Sequence, residues 1–201
     1  MARDMSKARL YLITPALGDA GAFAAPFAAA LAAGGVASVL VRLARGADAR
    51  RIVEPLREIA QASDVALLVE DDSRLAARLD ADGVHVACEG VEEAVEAFKG
   101  KRIVGAGGVG LRDDAMSAGE AGADYVMFGE PGPDGVQPSF EATLERVDWW
   151  APIFETPCVA YAATLAQVGP LFAAGADFVA LGAAVWDAAD PAAAVKAAAA
   201  S

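Results

Sequence analysis

Three stretches of this chain combine residue types and spacings that could do chemistry. The first is Glu70-Asp71-Asp72, three carboxylates in a row after an apolar run. Magnesium takes oxygen ligands, and carboxylates at a strand end suit it, with Asp71 the expected ligand. Asp72 stands directly before Ser73 and equally suits a helix N-cap, in which case the cluster solvates a loop. The second is GAGGVG, Gly105 to Gly110, a literal G-x-G-x-x-G, with Glu130 at the end of the next apolar run. Bare amides entering a helix attract phosphate, and this spacing is the fingerprint of dinucleotide sites. Four strand-helix units precede it, however, whereas the fingerprint usually opens its domain. Without a dinucleotide, Gly107 and Gly108 could cradle a monophosphate, or the glycines could form a tight turn with no ligand. The third stretch is Gly182-Ala183-Ala184, whose small side chains leave amides open to phosphate but also suit close packing.

Single residues add to these. His85 is the only histidine, so histidine acid-base chemistry has no other candidate, although a hydrogen-bonded structural role is the plainer expectation. Arg42 lies inside an apolar strand, where a charge must face a lumen, a partner or solvent. Glu70 falls near the end of the adjacent strand, and the two are expected to pair. Cys88 and Cys158 lack metal-type spacing and read as reduced, buried thiols. Of Trp149 and Trp150, one is expected on the barrel wall and one near its rim.

The elements that position these residues follow from repeats. AGADYVMFGE, Ala121 to Glu130, has a near copy in AGADFVALGAA, Ala174 to Ala184, and a fainter one in DADGVHVA, Asp80 to Ala87. Each is a small-residue turn ending in Asp, followed by an apolar run. Gly supplies the backbone angles of a tight helix-to-strand turn. The run lacks in-out alternation, as a parallel strand covered on both faces does. Strands are expected at Leu10–Thr14, Ser38–Leu43, Val65–Val69, Gly83–Val86, Arg102–Ala106, Tyr125–Phe128, Cys158–Tyr161 and Phe178–Leu181, with helices between them. Eight such units in 201 residues predict an α/β protein with one domain spanning residues 1–201, a single (β/α)8 TIM barrel.

Composition bounds the function. Hydrophobic residues make up 56% of the chain, enough for a large core, and the net charge is -12. That charge repels phosphate polymers, so no nucleic-acid or anionic-membrane partner is expected. MARDMSKAR at the start lacks the apolar core of a signal peptide, and no later run is long enough to span a bilayer. A cytoplasmic protein with a phosphorylated small molecule as partner is the expectation, with self-association into a homo-oligomer left open.

LYLIT, LVRLARG, LLVEDDSRLAARLDADGVHVA, IVGAGG, AGADYVMFGE, TPCVAYAAT and AGADFVALGAAV cover nearly the whole chain. Together they resemble the thiamine phosphate synthase family and its sister group, the TenI-type thiazole tautomerases. The resemblance implies a barrel of thiamine metabolism that joins a pyrimidine diphosphate to a thiazole phosphate with magnesium. It also implies a site at the C-terminal strand ends. Several positions depart from the family pattern. The family's Gln-x-Arg-x-Lys diphosphate grip reads Arg42, Ala44 and Gly46 here, and its Asn-Asp reads Glu70-Asp71. Its second metal aspartate aligns with Gly90, its serine after strand five with Gly107, and its Thr-x-Thr-Lys loop with PGPDG. The paired glycines after strand seven are Ala162-Ala163, Tyr161 replaces a small apolar residue, and the tautomerase histidine aligns with Glu130. The expected ligand site is therefore Arg42, Glu70, Gly107, Gly108, Glu130, Gly182 and Ala183, with Asp71 for magnesium. The implied function is a divergent member binding a phosphorylated thiazole- or pyrimidine-type molecule. A noncatalytic phosphate-binding or regulatory barrel is the alternative, and a dinucleotide-dependent oxidoreductase is a third reading.

Overall fold

A computed structural model describes residues 10–132 and 135–201 of the chain. The amino-terminal stretch read above as lacking a leader lies outside those residues, as does part of the PGPDG segment. Eight parallel strands close into a barrel in sequence order, β1 pairing with both β2 and β8. They are β1 (Leu10–Leu17), β2 (Val36–Leu43), β3 (Ala66–Glu70), β4 (Gly83–Ala87), β5 (Ile103–Gly107), β6 (Tyr125–Phe128), β7 (Cys158–Ala162) and β8 (Phe178–Leu181). Nine α-helices accompany them among the described residues, seven between strands and two after β8. They are α1 (Gly21–Ala32), α2 (Ala49–Ala62), α3 (Ser73–Arg78), α4 (Val91–Phe98), α5 (Arg112–Glu120), α6 (Phe140–Trp150), α7 (Val168–Ala173), α8 (Ala183–Trp186) and α9 (Pro191–Ala199). This is a single (β/α)8 barrel. No described helix is long and apolar enough to cross a membrane.

The repeated aspartate has a mechanical role. Asp82 accepts from the Leu67 amide and donates its own amide to the Leu67 carbonyl, both at 2.8 Å. Asp124 does the same to Val104, with both bonds at 2.8 Å. Asp177 repeats it on Cys158, at 2.9 and 3.0 Å. Each aspartate thus ties the entry of its strand to the first residues of the strand before it. Gly122 and Gly175, at φ 94° and 104°, make the preceding turns that only glycine adopts readily.

Side chains alternate between two buried layers, which is why the strands read as unbroken apolar runs. Leu10, Leu12, Val39, Val41, Leu67 and Val69 face the helices. Tyr11, Ile13, Leu40, Leu68, Tyr125, Met127, Val159 and Ala180 fill the lumen. Parity then decides the mouth: Arg42 follows Leu40 inward, Glu70 follows Leu68, Tyr161 follows Val159, and Gly182 follows Ala180.

Several strand ends differ by a few residues from the sequence expectation, and two of these shape the site. β1 continues past Pro15 to Leu17, with a shift in its pairing to β2 between Ile13 and Ala16. Proline has no amide to pair, so the strand bulges there rather than stopping. The Thr14 hydroxyl meets the Arg42 amide at 3.0 Å and bridges the irregularity. β5 runs on to Gly107, so Gly105 and Gly107 are strand residues pointing into the barrel and not members of a turn. Gly83 serves wall packing, because a Cβ there would stand 2.7 Å from the Ile103 Cβ and closer still to the Ile103 carbonyl oxygen. Backbone cannot yield as a side chain can, and overpacking of this kind costs about 1–3 kcal/mol or more. Gly83→Ala is expected to lower stability by about 3 kcal/mol in urea unfolding, at the upper end of that range.

Candidate functional site

The inward residues at the C-terminal strand ends converge on one mouth. Glu70, His85, Gly105 and Tyr125 are in register across β3 to β6. Gly105 stands between His85 and Tyr125, and a Cβ on it would collide with the Tyr125 ring. With that space open, the His85 and Tyr125 rings lie 5.7 Å apart and near parallel, and the Tyr125 hydroxyl reaches His85 Nδ1 at 2.9 Å. Tyr125 also meets the Tyr11 hydroxyl across the lumen at 2.8 Å. On the mouth side, His85 Nε2 lies 3.1 Å from Glu130 Oε2, and the Gly108 amide donates to Glu130 Oε1 at 2.6 Å. Gly107 makes this pair fit, since a Cβ there would strike both Glu130 Oε1 and His85 Nε2.

The proton positions follow from one requirement, that every buried donor meets an acceptor. An ionised Glu130 only accepts, so His85 presents an N–H to it from Nε2, and in the neutral ring Nδ1 accepts from the Tyr125 hydroxyl. Tyr125 in turn accepts from Tyr11. Burial pushes both phenols well above their ordinary range, so they remain protonated donors. Burial acts to raise the Glu130 carboxyl as well, but His85 beside it, the Gly108 amide and Arg42 together outweigh that and hold it below the usual glutamate range.

A second ion pair sits beside the first. Arg42 Nε meets Glu70 Oε1 at 2.7 Å, with both side chains about one-third exposed or less. Arg42 also lines a cleft of about 270 Å³ between β1, β7, β8 and α8, together with Thr14, Tyr161, Gly182, Ala183 and Trp186. Trp186 is held there by its indole N–H on the Ile13 carbonyl at 2.7 Å and by Phe23 at 4.8 Å between ring centres. Tyr161 leans over Gly182, where a Cβ would stand 3.3 Å from its hydroxyl.

The three adjacent carboxylates diverge. Glu70 turns to Arg42, Asp72 caps α3 by accepting from Leu75 at 2.7 Å, and Asp71 is exposed with a left-handed φ of 58°. Among the described residues no three His, Cys, Asp or Glu side chains gather as a metal cage. Of the three, Asp71 keeps an exposed carboxylate that neither the α3 cap nor Arg42 engages. Burial first and Glu89 next push the Cys88 thiol up to about 11, away from the thiolate that a nucleophile needs. The glycine-rich stretch likewise lacks the fingerprint's setting. Gly105 and Gly107 make room for Tyr125 and for the His85–Glu130 pair, and the Gly108 amide is engaged by a carboxylate. Sequence reasoning missed Tyr11 and Tyr125, which looked like ordinary strand aromatics. The only signal was Gly105, two residues before Gly107 and of the same strand parity.

A closed eight-stranded barrel with its polar residues gathered at the C-terminal strand ends has the architecture of barrel enzymes. The thiamine monophosphate synthase family model matches residues 10–185. The thiamine-phosphate synthase of Rhodospirillum centenum is 46% identical over 95% of this chain and 96% of its own. That of Erythrobacter litoralis is 42% identical over 92% of each. The thiamine phosphate pyrophosphorylase structure from Pyrococcus furiosus superposes with a TM-score of 0.80 at 25% identity, covering 96% of this chain and 94% of that one. The chain belongs to the thiamine monophosphate synthase family.

Two measurements check the site. Tyr125→Phe strands the Tyr11 hydroxyl and His85 Nδ1, and each buried group left unpaired costs about 1–3 kcal/mol, so the urea midpoint should fall clearly. Because the folded Glu130 carboxyl is held below its unfolded value, its stabilisation is present in full above the ordinary glutamate range. It is lost as pH falls through that range toward the folded value. Glu130→Gln should therefore lose stability less steeply than wild type below about pH 5, where unperturbed glutamates near 4.3 begin to protonate.

Proposed function

We propose that this barrel binds a phosphorylated thiazole- or pyrimidine-type molecule of thiamine metabolism at its mouth, and that it turns over poorly as a thiamine phosphate synthase. The observation that carries this reading is the Arg42–Glu70 pair at 2.7 Å. The family resemblance assigns the diphosphate grip to this region, and here the cation is already neutralised by an internal carboxylate. Ala44 and Gly46 supply no further charge. A departing diphosphate is stabilised by cations aimed at it, so their absence weakens the transition state more than the bound state.

The cleft at the end of β8 is the proposed seat of a monophosphate. Gly182 and Ala183 bring little side-chain bulk and open backbone amides to it, and Tyr161 and Trp186 offer flat walls for a heteroaromatic ring. Magnesium, when bound, would neutralise phosphate oxygens at the Asp71 side of the mouth. Asp71 is the protein ligand proposed for it, and Glu70 and Glu130 are engaged elsewhere. The mouth carries more carboxylate than cation, so phosphate binding should be weak without metal and stronger with it.

Calorimetry with thiazole phosphate, with and without magnesium, tests the binding half. Binding that strengthens with magnesium and is lost in Gly182→Leu is expected. Unchanged binding in Gly182→Leu would remove the phosphate from this cleft. A steady-state assay with pyrimidine diphosphate, thiazole phosphate and magnesium tests the catalytic half. The expected turnover lies at least about a hundredfold below an active family synthase run alongside, the cost of two to three lost charge-assisted contacts at about 1.4 kcal/mol per tenfold. Binding with no turnover at all would favour the noncatalytic, regulatory reading of the same pocket.

A further inference from the structure

The Glu130 carboxylate is held as a bound anion would be. One oxygen takes the Gly108 amide at 2.6 Å and the other faces His85 Nε2 at 3.1 Å. Both donors are set in the barrel wall, Gly108 just beyond β5 and His85 within β4, and His85 is 3% exposed. The imidazole is fixed as a donor toward the mouth by the Tyr11–Tyr125 hydroxyls behind it. The space between the donors exists because Gly107 has no side chain. The anion in that space, by contrast, belongs to the first residue after Gly129, at the entry of the β6–α6 connection. A rigid pair of donors is thus filled by a group tethered at the start of a loop.

We propose that Gly108 and His85 form an oxyanion pocket that Glu130 occupies in the free protein, and that a ligand phosphate enters it by displacing the Glu130 carboxylate. The inference rests on reading the mouth as a phosphate site, and adds a second anion position on the opposite side of the lumen from the Gly182 cleft. A phosphate oxygen accepts the same charge-assisted hydrogen bonds as a carboxylate oxygen and can replace it one for one. Two anions cannot share the pocket, because at contact distance their repulsion in a partly buried site exceeds what two donors return. Binding therefore requires the open arrangement, and the apparent affinity falls by the fraction of protein in which Glu130 has left. If that fraction is about one in a hundred, the intrinsic affinity is masked about a hundredfold. Displacement would also move Glu130 out over the mouth, next to Arg42 and its partner Glu70.

The test uses inorganic phosphate and thiazole phosphate on wild type, Glu130→Ala and Glu130→Gln. Affinity is read by calorimetry, and occupancy of this pocket by NMR of the His85 ring, the single histidine in the chain. Glu130→Ala is expected to bind inorganic phosphate at least about tenfold more tightly than wild type, as removal of a self-occupying group requires. The His85 ring signal should shift in step with binding. Glu130→Gln should gain less, since its amide oxygen still accepts from one donor. If Glu130→Ala does not fold, the gain and ring shift in Glu130→Gln decide the matter. Phosphate affinity unchanged in the folded variants, or raised without movement of the His85 signal, overturns the pocket. Should wild type bind thiazole phosphate through the Gly182 cleft while no variant gains, the pocket falls and the proposed function stands. Absence of any phosphate binding in all three proteins ends both.

Discussion

The hydrogen bond between the Tyr11 and Tyr125 hydroxyls spans the lumen from β1 to β6 and sets what the rest of the mouth can be. Two phenols that deep must find partners, because an unpaired buried hydroxyl costs more than a made bond returns. They meet each other and then His85, whose far nitrogen is thereby made a donor. That donor calls for an acceptor at the mouth, and Glu130 supplies it. Gly105 and Gly107 follow as a steric consequence, since any side chain at either position would occupy the path. Four strands of the wall, β1, β4, β5 and β6, are thus committed to one line of polar groups running from the lumen to solvent.

The polar groups at the mouth are satisfied internally. Arg42 is answered by Glu70, and His85 and Gly108 are answered by Glu130. Membership of the thiamine monophosphate synthase family is carried by the whole chain, through strand order, turns and lumen packing. Fold and site are separable in a barrel, where the wall carries the fold and the strand ends carry the site.

The wall is held by means that repeat. Asp82, Asp124 and Asp177 each bind both backbone groups of the first or second residue in the preceding strand, fixing the offset between neighbours at three of the eight joints. A barrel needs a defined stagger to close, and a latch at the strand entry defines it locally. The alternating buried layers then make any slip by one residue costly, since a lumen side chain would be driven among the helices.

Much of this was legible in the amino-acid order, because it is local. The turn glycines, the latch aspartates, the apolar runs and the helix caps at Asp48, Asp72, Ser139 and Asp190 each act on residues near them in the chain or in the adjoining strand. Strand number and barrel closure follow from counting such units. The pairing of Arg42 with Glu70 was also open to inference, since neighbouring parallel strands bring equivalent ends together. The bulge in β1 and the inward turn of Gly105 and Gly107 were not, for both depend on register against another strand. Least visible was the chain from Tyr11 to Glu130, whose members lie up to 119 positions apart, as their numbers give. Only closure of the barrel brings β1 across from β6. A tyrosine in a strand carries no mark of which hydroxyl it will meet, and that partner is decided by the packed lumen alone.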